Sequence, residues 1–316
     1  MKAFIKTRYG GPEVLHLEET VKPFPQDNQI LVKVVANSVN PADWHIIRGK
    51  PFVARFAFGL LKPKNKIAGG DFSGIVEETG SKATRFKPGD RVFGASFMGG
   101  AFAGYVSVPE NSCAIMPGEA EFHEMACVPV AGITALQALT SHGKLKEGET
   151  VLVNGASGGV GHFTVQMAKA FGARVTGVCS SGNAEFVKAL GAGEVIPYDR
   201  VNIHRHNQKY DLVVDVHGNL TYGDFRRMAK RGVVVGFTSL GHIVLLMVKA
   251  AFGKLPLVQF TARVTTEDLE VVVSLIKNGQ VKVVIDKIFP FNETPEAIRC
   301  IEAMRTKGKV AILSEP

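Results

Sequence analysis

The chain of 316 residues has few cysteines, no dense run of one charge and no long hydrophobic stretch. Its four cysteines, Cys113, Cys127, Cys179 and Cys300, form no C-x-x-C pair and sit in apolar surroundings. That argues against a disulfide scaffold and points to small buried thiols in a reducing compartment. The most apolar segment, "HIVLLMVKAAFGKL" at 242–255, is too short to cross a bilayer, and Lys249 interrupts it. A buried or interfacial helix is expected there, with contact at a membrane surface left open. The opening "MKAFIKTRYGG" lacks the apolar core of a signal peptide, so the expected location is cytoplasmic. The formal net charge is +8, but Lys and Arg are scattered, which argues against nucleic acid. A phosphate-rich cofactor accounts for the mild excess equally well. With 46% hydrophobic and 21% charged residues the chain reads as globular, and its length admits two domains.

Residues 1–119 read as β-rich. Short strand-like runs such as "KAFIK", "QILVKVVA", "GIVEETG" and "DRVFGA" are punctuated by Gly, Pro and Asp, the pattern of a barrel-like β domain. From about 120 the pattern becomes β-α-β. "ETVLVNG" is a buried strand, and Val160, Phe163, Met167 and Phe171 after it fall at helical spacing, with Gly172 as the stop. "RVTGVC", "YDLVVDV" and "GVVVGF" continue the strands, with "TYGDFRRMAKRG" as an intervening helix. A parallel sheet with helices on both faces follows, so the fold class is α/β. The tail adds the helices "TTEDLEVVVSLIKNG" and "TPEAIRCIEAMRTKG" and the strands "VIDKIFPF" and "KVAILS".

The most informative segment is "VLVNGASGGVGHF". A strand runs into the loop Gly155, Ala156, Ser157, Gly158, Gly159, Val160, Gly161 and then a helix. Glycines suit that turn because a pyrophosphate must approach the backbone and rest on the free N–H groups of the helix start. "GASGG" also fits G-x-S-x-G, with Ser157 as a hydrolase nucleophile. The extra glycines and the start of the β-α-β pattern at this strand favour the dinucleotide. The next strand ends "VTGVCSSGN". An acidic residue there would bind ribose hydroxyls, but Ser180 and Ser181 occupy the place, with Asn183 close by. An acid would repel a 2′-phosphate and small hydroxyls bind one, so the expected cofactor is NADP(H). Tyr198, after the following strand, is a candidate for the same adenosine end.

The ordered set "SVNPADW", "GGDFSGIVEETG", "FKPGDRVFG", "PVAGITALQAL", "VLVNGASGGVG", "VTGVCSS", "KALGAGEVIPY" and "GKVAILS" spans nearly the whole length. With it the chain resembles the medium-chain dehydrogenase/reductase superfamily, in its zinc-free, zeta-crystallin-like quinone oxidoreductase branch. The resemblance implies a GroES-like β-barrel catalytic domain from 1–119 and 282–316. It implies a Rossmann, doubly wound NADP(H)-binding domain from 120–281, an active site in the cleft, and a homodimer or tetramer joined through the nucleotide domains. It further implies that Thr134 lies near the nicotinamide and that His217, Phe237 and Thr238 line the cofactor. Zinc-dependent relatives draw ligands from positions that here hold Asn40, Gly70 and Val130, so no metal is expected.

Without zinc, a preactivated acceptor is the expected substrate: a small hydrophobic quinone or an α,β-unsaturated carbonyl, reduced by hydride from NADPH. In "SVNPADWHIIRG", Asn40 either hydrogen-bonds substrate or nicotinamide or only forms the turn before Pro41. Asp43 either takes part or braces the loop through hydrogen bonds. His45 either donates the final proton or braces the loop. Two alternatives stand beside the reductase: a nucleotide-binding sensor or structural protein with little turnover, and an alcohol dehydrogenase that works without zinc.

Overall fold

The computed structural model describes residues 1–97, 99–236 and 239–314. They form two compact units. The first comprises residues 1–131, 264–274 and 283–316, and the second 132–263 with 275–282.

The hub of the first unit is the long strand Gln29–Val39. Its Val and Ile side chains favour extended backbone, and eight of its eleven positions are buried, as suits a strand with neighbours on both sides. It pairs antiparallel with Asp71–Thr79, with Tyr105–Pro109 and with the last strand, Lys309–Leu313. Arg91–Ala95 and Cys113–Ile115 extend the sheet on one side and Ile285–Pro290 on the other, which gives seven strands. One core cluster gathers Ile30, Val32, Phe72, Val92 and Val108. A second gathers Phe4, Val39, Ile47, Phe102, Ile298 and Val310, with Trp44 packed against it. The chain end is therefore part of this unit's core: Val310 and Ile312 are fully buried beside a strand that precedes them by more than 270 residues.

The second unit is a six-stranded, wholly parallel sheet. Its spatial order is Glu194–Pro197, Arg174–Cys179, Thr150–Asn154, Tyr210–Asp215, Ala229–Val234 and Leu257–Gln259. The chain starts in the middle, winds outward through two strands, then returns to the other side of Thr150–Asn154. That reversal is the doubly wound Rossmann order, and ligands bind where it occurs, outside the carboxyl ends of the strands. Val151, Leu152 and Val153 are all fully buried, as a strand covered on both faces demands. The following helix runs Gly161–Ala170; Phe163 and Met167 are fully buried, and Gly172 at φ +78° ends it.

The expected helix over "TYGDFRRMAKRG" is shorter. It runs Tyr222–Met228, opened by a capping box between Thr221 and Asp224. Ala229 already begins a strand that pairs with Tyr210–Asp215 and Leu257–Gln259. Lys230 and Arg231 suit a helix, but they sit on the strand paired with Asp211 and Glu149, so tertiary pairing overrides local propensity.

Candidate active site

Asn40 ends the hub strand and opens the helix Pro41–Arg48. Pro41 lacks the N–H that a first helical turn leaves unpaired, so it starts the helix at no cost. The backbone N–H of Asn40 donates to Asp43 Oδ2 at 2.7 Å, and Asp43 N–H returns a bond to the Asn40 carbonyl at 3.0 Å. The Asn40 side chain is buried. Its Nδ2 donates to Asp71 Oδ2 at 2.7 Å and its Oδ1 accepts from Lys309 Nζ.

Asp71 is the centre of this cluster. It is fully buried and also accepts from Ser38 Oγ at 2.9 Å and from the Val130 N–H at 3.0 Å. The Lys309 ammonium, itself 1% exposed, lies 3.4 Å from it. Burial, with the charge of Asp71 adding to it, pushes the Asp43 carboxyl up to about 7. Cys127 lies beside the same groups, and burial pushes its thiol up to about 12, so it is a protonated thiol.

The donor set does not fit zinc. Asn40 offers an amide already committed twice, Gly70 has no side chain, and Val130 contributes only a backbone N–H. An ammonium already neutralises the one carboxylate they share.

His45 lies one turn into the helix, half-buried. Its ring stacks on Trp44 with centroids 3.6 Å apart, and its Nδ1 donates to the Lys50 carbonyl at 3.1 Å. Burial lowers its pKa below the ordinary histidine value. At neutral pH the ring is therefore uncharged, with its proton on the nitrogen that faces Lys50.

In the second unit the glycine loop has the shape a pyrophosphate needs. Gly155 has φ +88°, a region closed to most side chains. The N–H groups of Gly155 and Ala156 both donate to the Val178 carbonyl, which ties the loop to the next strand. A Cβ on Gly161 would lie 2.0 Å from the Gly155 carbonyl, so the helix closes on the strand only with glycine there. A Cβ on Gly158 would meet nothing nearer than 3.7 Å; its absence keeps open space clear above the backbone. His162, fully buried, supports the loop from below through Nδ1 and the Gly158 carbonyl, 3.2 Å apart. His217 abuts Gly155: its N–H donates to the Asn154 carbonyl at 3.3 Å. Asp215, fully buried beneath it, accepts from Gly218 N–H, Leu220 N–H and Asn154 Nδ2. Thr134 is buried within the helix Pro129–Gln137. Phe237 and Thr238 lie outside the described residues.

Ser180 and Ser181 follow the strand Arg174–Cys179, where a ribose is held in this topology. Asn183 Nδ2 reaches Ser157 Oγ at 3.1 Å, which joins this corner to the glycine loop. An acid is present after all, contributed by the next strand's loop. Asp199 accepts both the Ser181 N–H, at 2.8 Å, and the Ser181 hydroxyl. These two bonds hold its carboxyl below the usual range. Tyr198 beside it is 60% exposed.

Comparison with known proteins agrees with this geometry. Residues 26–118 match the alcohol dehydrogenase GroES-like domain family, and residues 190–312 match the family described as zinc-binding dehydrogenase. The chain is 36% identical to a chloroplast envelope quinone oxidoreductase homolog of Arabidopsis thaliana over 96% of its own length and 95% of that protein's. The quinone oxidoreductase of Coxiella burnetii superposes with a TM-score of 0.90 at 30% identity, covering 100% of this chain and 99% of that one. The Escherichia coli quinone oxidoreductase complexed with NADPH gives 0.86 at 26% identity, covering 99% and 100%. The chain belongs to the zinc-free quinone oxidoreductase branch of the medium-chain dehydrogenase/reductase superfamily.

As a member of that branch it is an oxidoreductase that binds a nicotinamide dinucleotide, NAD(H) or NADP(H). Against that background, Lys309 and Asp199 stand out as residues that sequence reasoning missed. Lys309 sits in the matched run "GKVAILS", yet nothing local marks it as buried. Asp199 follows Tyr198 directly, and only the fold brings it onto Ser181.

Two outcomes are expected of the buried cluster. Lys309→Met strands the Asp71 carboxylate in the interior and lowers stability by about 3–5 kcal/mol, while adding Asp71→Asn restores most of the loss. Urea denaturation of the two single variants and the double one measures this; independent, additive losses contradict the pairing. Asp43, raised from its usual 3.8, keeps a proton in the folded state that the unfolded chain releases. Stability therefore falls as pH rises from about 4 to about 7, then levels, and Asp43→Asn removes that part of the slope. Denaturation midpoints across this range decide it.

Proposed function

We propose that the protein reduces a quinone or an α,β-unsaturated carbonyl by hydride transfer, with NADPH as donor. The observation that carries the reading is the glycine loop, its backbone fixed and without a Cβ at Gly155, Gly158 and Gly161, at the switch point of a doubly wound sheet. The named relatives and neighbours that act on quinones support the acceptor. A reduced nicotinamide supplies the hydride, and a proton completes the two-electron reduction. The chain's own part is orientation. The loop at 155–161 offers close backbone approach and a helix start to the pyrophosphate, while the N–H groups of Gly155, Ala156 and Gly158 hold the loop's own shape. Asn40 is held rigid by Lys309 and Asp71, so its amide is a fixed polar group. With no metal-ligand set at Asn40, Gly70 and Val130, an acceptor that is already electrophilic suits the site best.

His45 is read as a positioning residue. Its neutral ring keeps its one proton on Nδ1, donated to the Lys50 carbonyl, braces the helix end and stacks on Trp44. Leu257–Gln259 is one of the two edge strands of the nucleotide sheet, and the helix Leu240–Ala251 exposes Val244, Leu245 and Val248. These features support a homodimer joined through the nucleotide units. Among the described residues no helix is long and apolar enough to cross a membrane. Cys113, Cys127 and Cys179, buried as free thiols, support a reducing location such as the cytoplasm.

One observation favours a second reading of the cofactor. The Asp199 carboxylate already takes the Ser181 donors that a 2′-phosphate would need, and a like charge repels that phosphate. Ribose hydroxyls could instead donate to it, which favours NADH.

Fluorescence titration with NADPH and NADH, followed by oxidation with quinones, enones, aldehydes and alcohols, tests both readings. Oxidation by quinones or enones and not by the others is the expected result; binding with no oxidation by any acceptor would falsify the enzymatic reading. Asp199→Asn removes the repulsion and is expected to raise NADPH affinity about fivefold relative to NADH. An unchanged ratio takes Asp199 out of cofactor choice. In the same assay His45→Gln is expected to keep the pH dependence of kcat between about 6 and 8; loss of that dependence makes His45 the proton donor.

A further inference from the structure

Residues 44–70 contain six Lys and Arg and no Asp or Glu, so under a tenth of the chain carries six of its eight net positive charges. Arg48 is paired with Glu302. Arg55 is engaged with the Tyr9 and Phe52 rings and the Gly49 carbonyl. Lys50, Lys62, Lys64 and Lys66 are exposed and make no salt bridge among the described residues.

Among these cations a short helical segment, Phe52–Ala54 running into Arg55–Phe58, turns apolar side chains outward. Phe52, Val53, Phe56, Leu60 and Leu61 are all exposed, Phe56 at 69% and Leu61 at 89%. The backbone behind them is anchored. Tyr9 Oη donates to the Gly59 carbonyl at 2.6 Å, Lys64 N–H to the Phe58 carbonyl at 2.8 Å, and Lys6 Nζ to the Asn65 carbonyl at 3.0 Å. The apolar side chains therefore stay outward on a fixed support.

Exposed apolar side chains gathered in one segment mark a contact surface. A second copy meeting this one face to face would bring the same lysines together, which repels. Apolar tips surrounded by unpaired cations fit an anionic lipid surface instead: aromatic and leucine side chains enter the acyl boundary and lysines reach the headgroups. We propose that the segment 50–66 docks the protein on the surface of an anionic phospholipid bilayer. This rests on the surface alone and holds whatever the acceptor is; a lipid-soluble quinone would be met at that surface.

The test is flotation with phosphatidylcholine vesicles, with and without phosphatidylglycerol, at low and high salt, using the full chain. Binding to the anionic vesicles and weaker binding at high salt are expected. Lys62→Gln, Lys64→Gln and Lys66→Gln together should lower partitioning roughly hundredfold, about fivefold for each lysine. Phe56→Ser with Leu61→Ser should lower it at least about tenfold. All are exposed sites, and circular dichroism checks that the variants fold. No binding to either vesicle, or variants that bind as well as the parent, overturns the proposal. So does a Phe56→Ser and Leu61→Ser variant that changes the oligomer mass, or raises KM for a water-soluble quinone, while vesicle binding is kept. The first of these would assign the patch to a second copy and the other to the acceptor.

Discussion

The first unit depends on one buried carboxylate. Asp71 stands at the start of its strand and receives donors from Ser38, Asn40, Val130 and Lys309. Those residues come from the hub strand, its exit, the helix that starts at Pro129, and the chain's last strand. An unpaired carboxylate in that interior would be costly, and so would an unpaired ammonium. Each is tolerable only while the other is in place, so the two together lock the end of the chain onto a strand near its start. Asn40 inherits its fixed orientation from that lock, since both ends of its amide are held by the charged pair.

The nucleotide unit solves a similar problem in the same way. Its loops at the carboxyl edge of the sheet must stay rigid without regular secondary structure. Asp215, buried at the end of its strand, collects two loop N–H groups and the Asn154 amide, and so fixes the turn that carries His217 against Gly155. The glycine loop is held from the other side, where Gly155 and Ala156 both donate to the Val178 carbonyl. Neither acid is placed to meet a substrate. Both hold backbone still, which lets the neighbouring loop present N–H groups or an amide without reorganising on binding.

What was legible in the sequence was local. The strand, the glycine spacing and the helix periodicity lie within one continuous segment, 150–172, and each residue type reports its own backbone demand. The same holds for Asn40, Pro41 and Asp43, whose helix start is written in four consecutive residues. Partners far apart in the chain were not legible. Lys309 reads as an ordinary charged residue at the start of a strand, and only its pairing with Asp71, 238 positions away, explains its burial. Asp199 is not legible in the same way, because the local pattern places the expected acid only at the end of Arg174–Cys179. Parallel pairing of Glu194–Pro197 with that strand brings the carboxylate to Ser181 from 18 residues further on. The helix at 222–228 was overextended for a related reason: Lys230 and Arg231 find acidic partners on the strand.

Charge is distributed by the same division between inside and outside. Within the first unit Lys309 and Asp71 cancel, so the polar cluster around Asn40 has direction but little net charge. The excess stands on the exterior, where Lys50, Lys62, Lys64 and Lys66 have no acidic neighbour in sequence. A neutral acceptor gains nothing from a positive field, because a field acts on charge and not on a ring without one. The acid-free stretch and its outward phenylalanines and leucines are therefore better matched by a surface that is both negative and apolar than by a neutral acceptor.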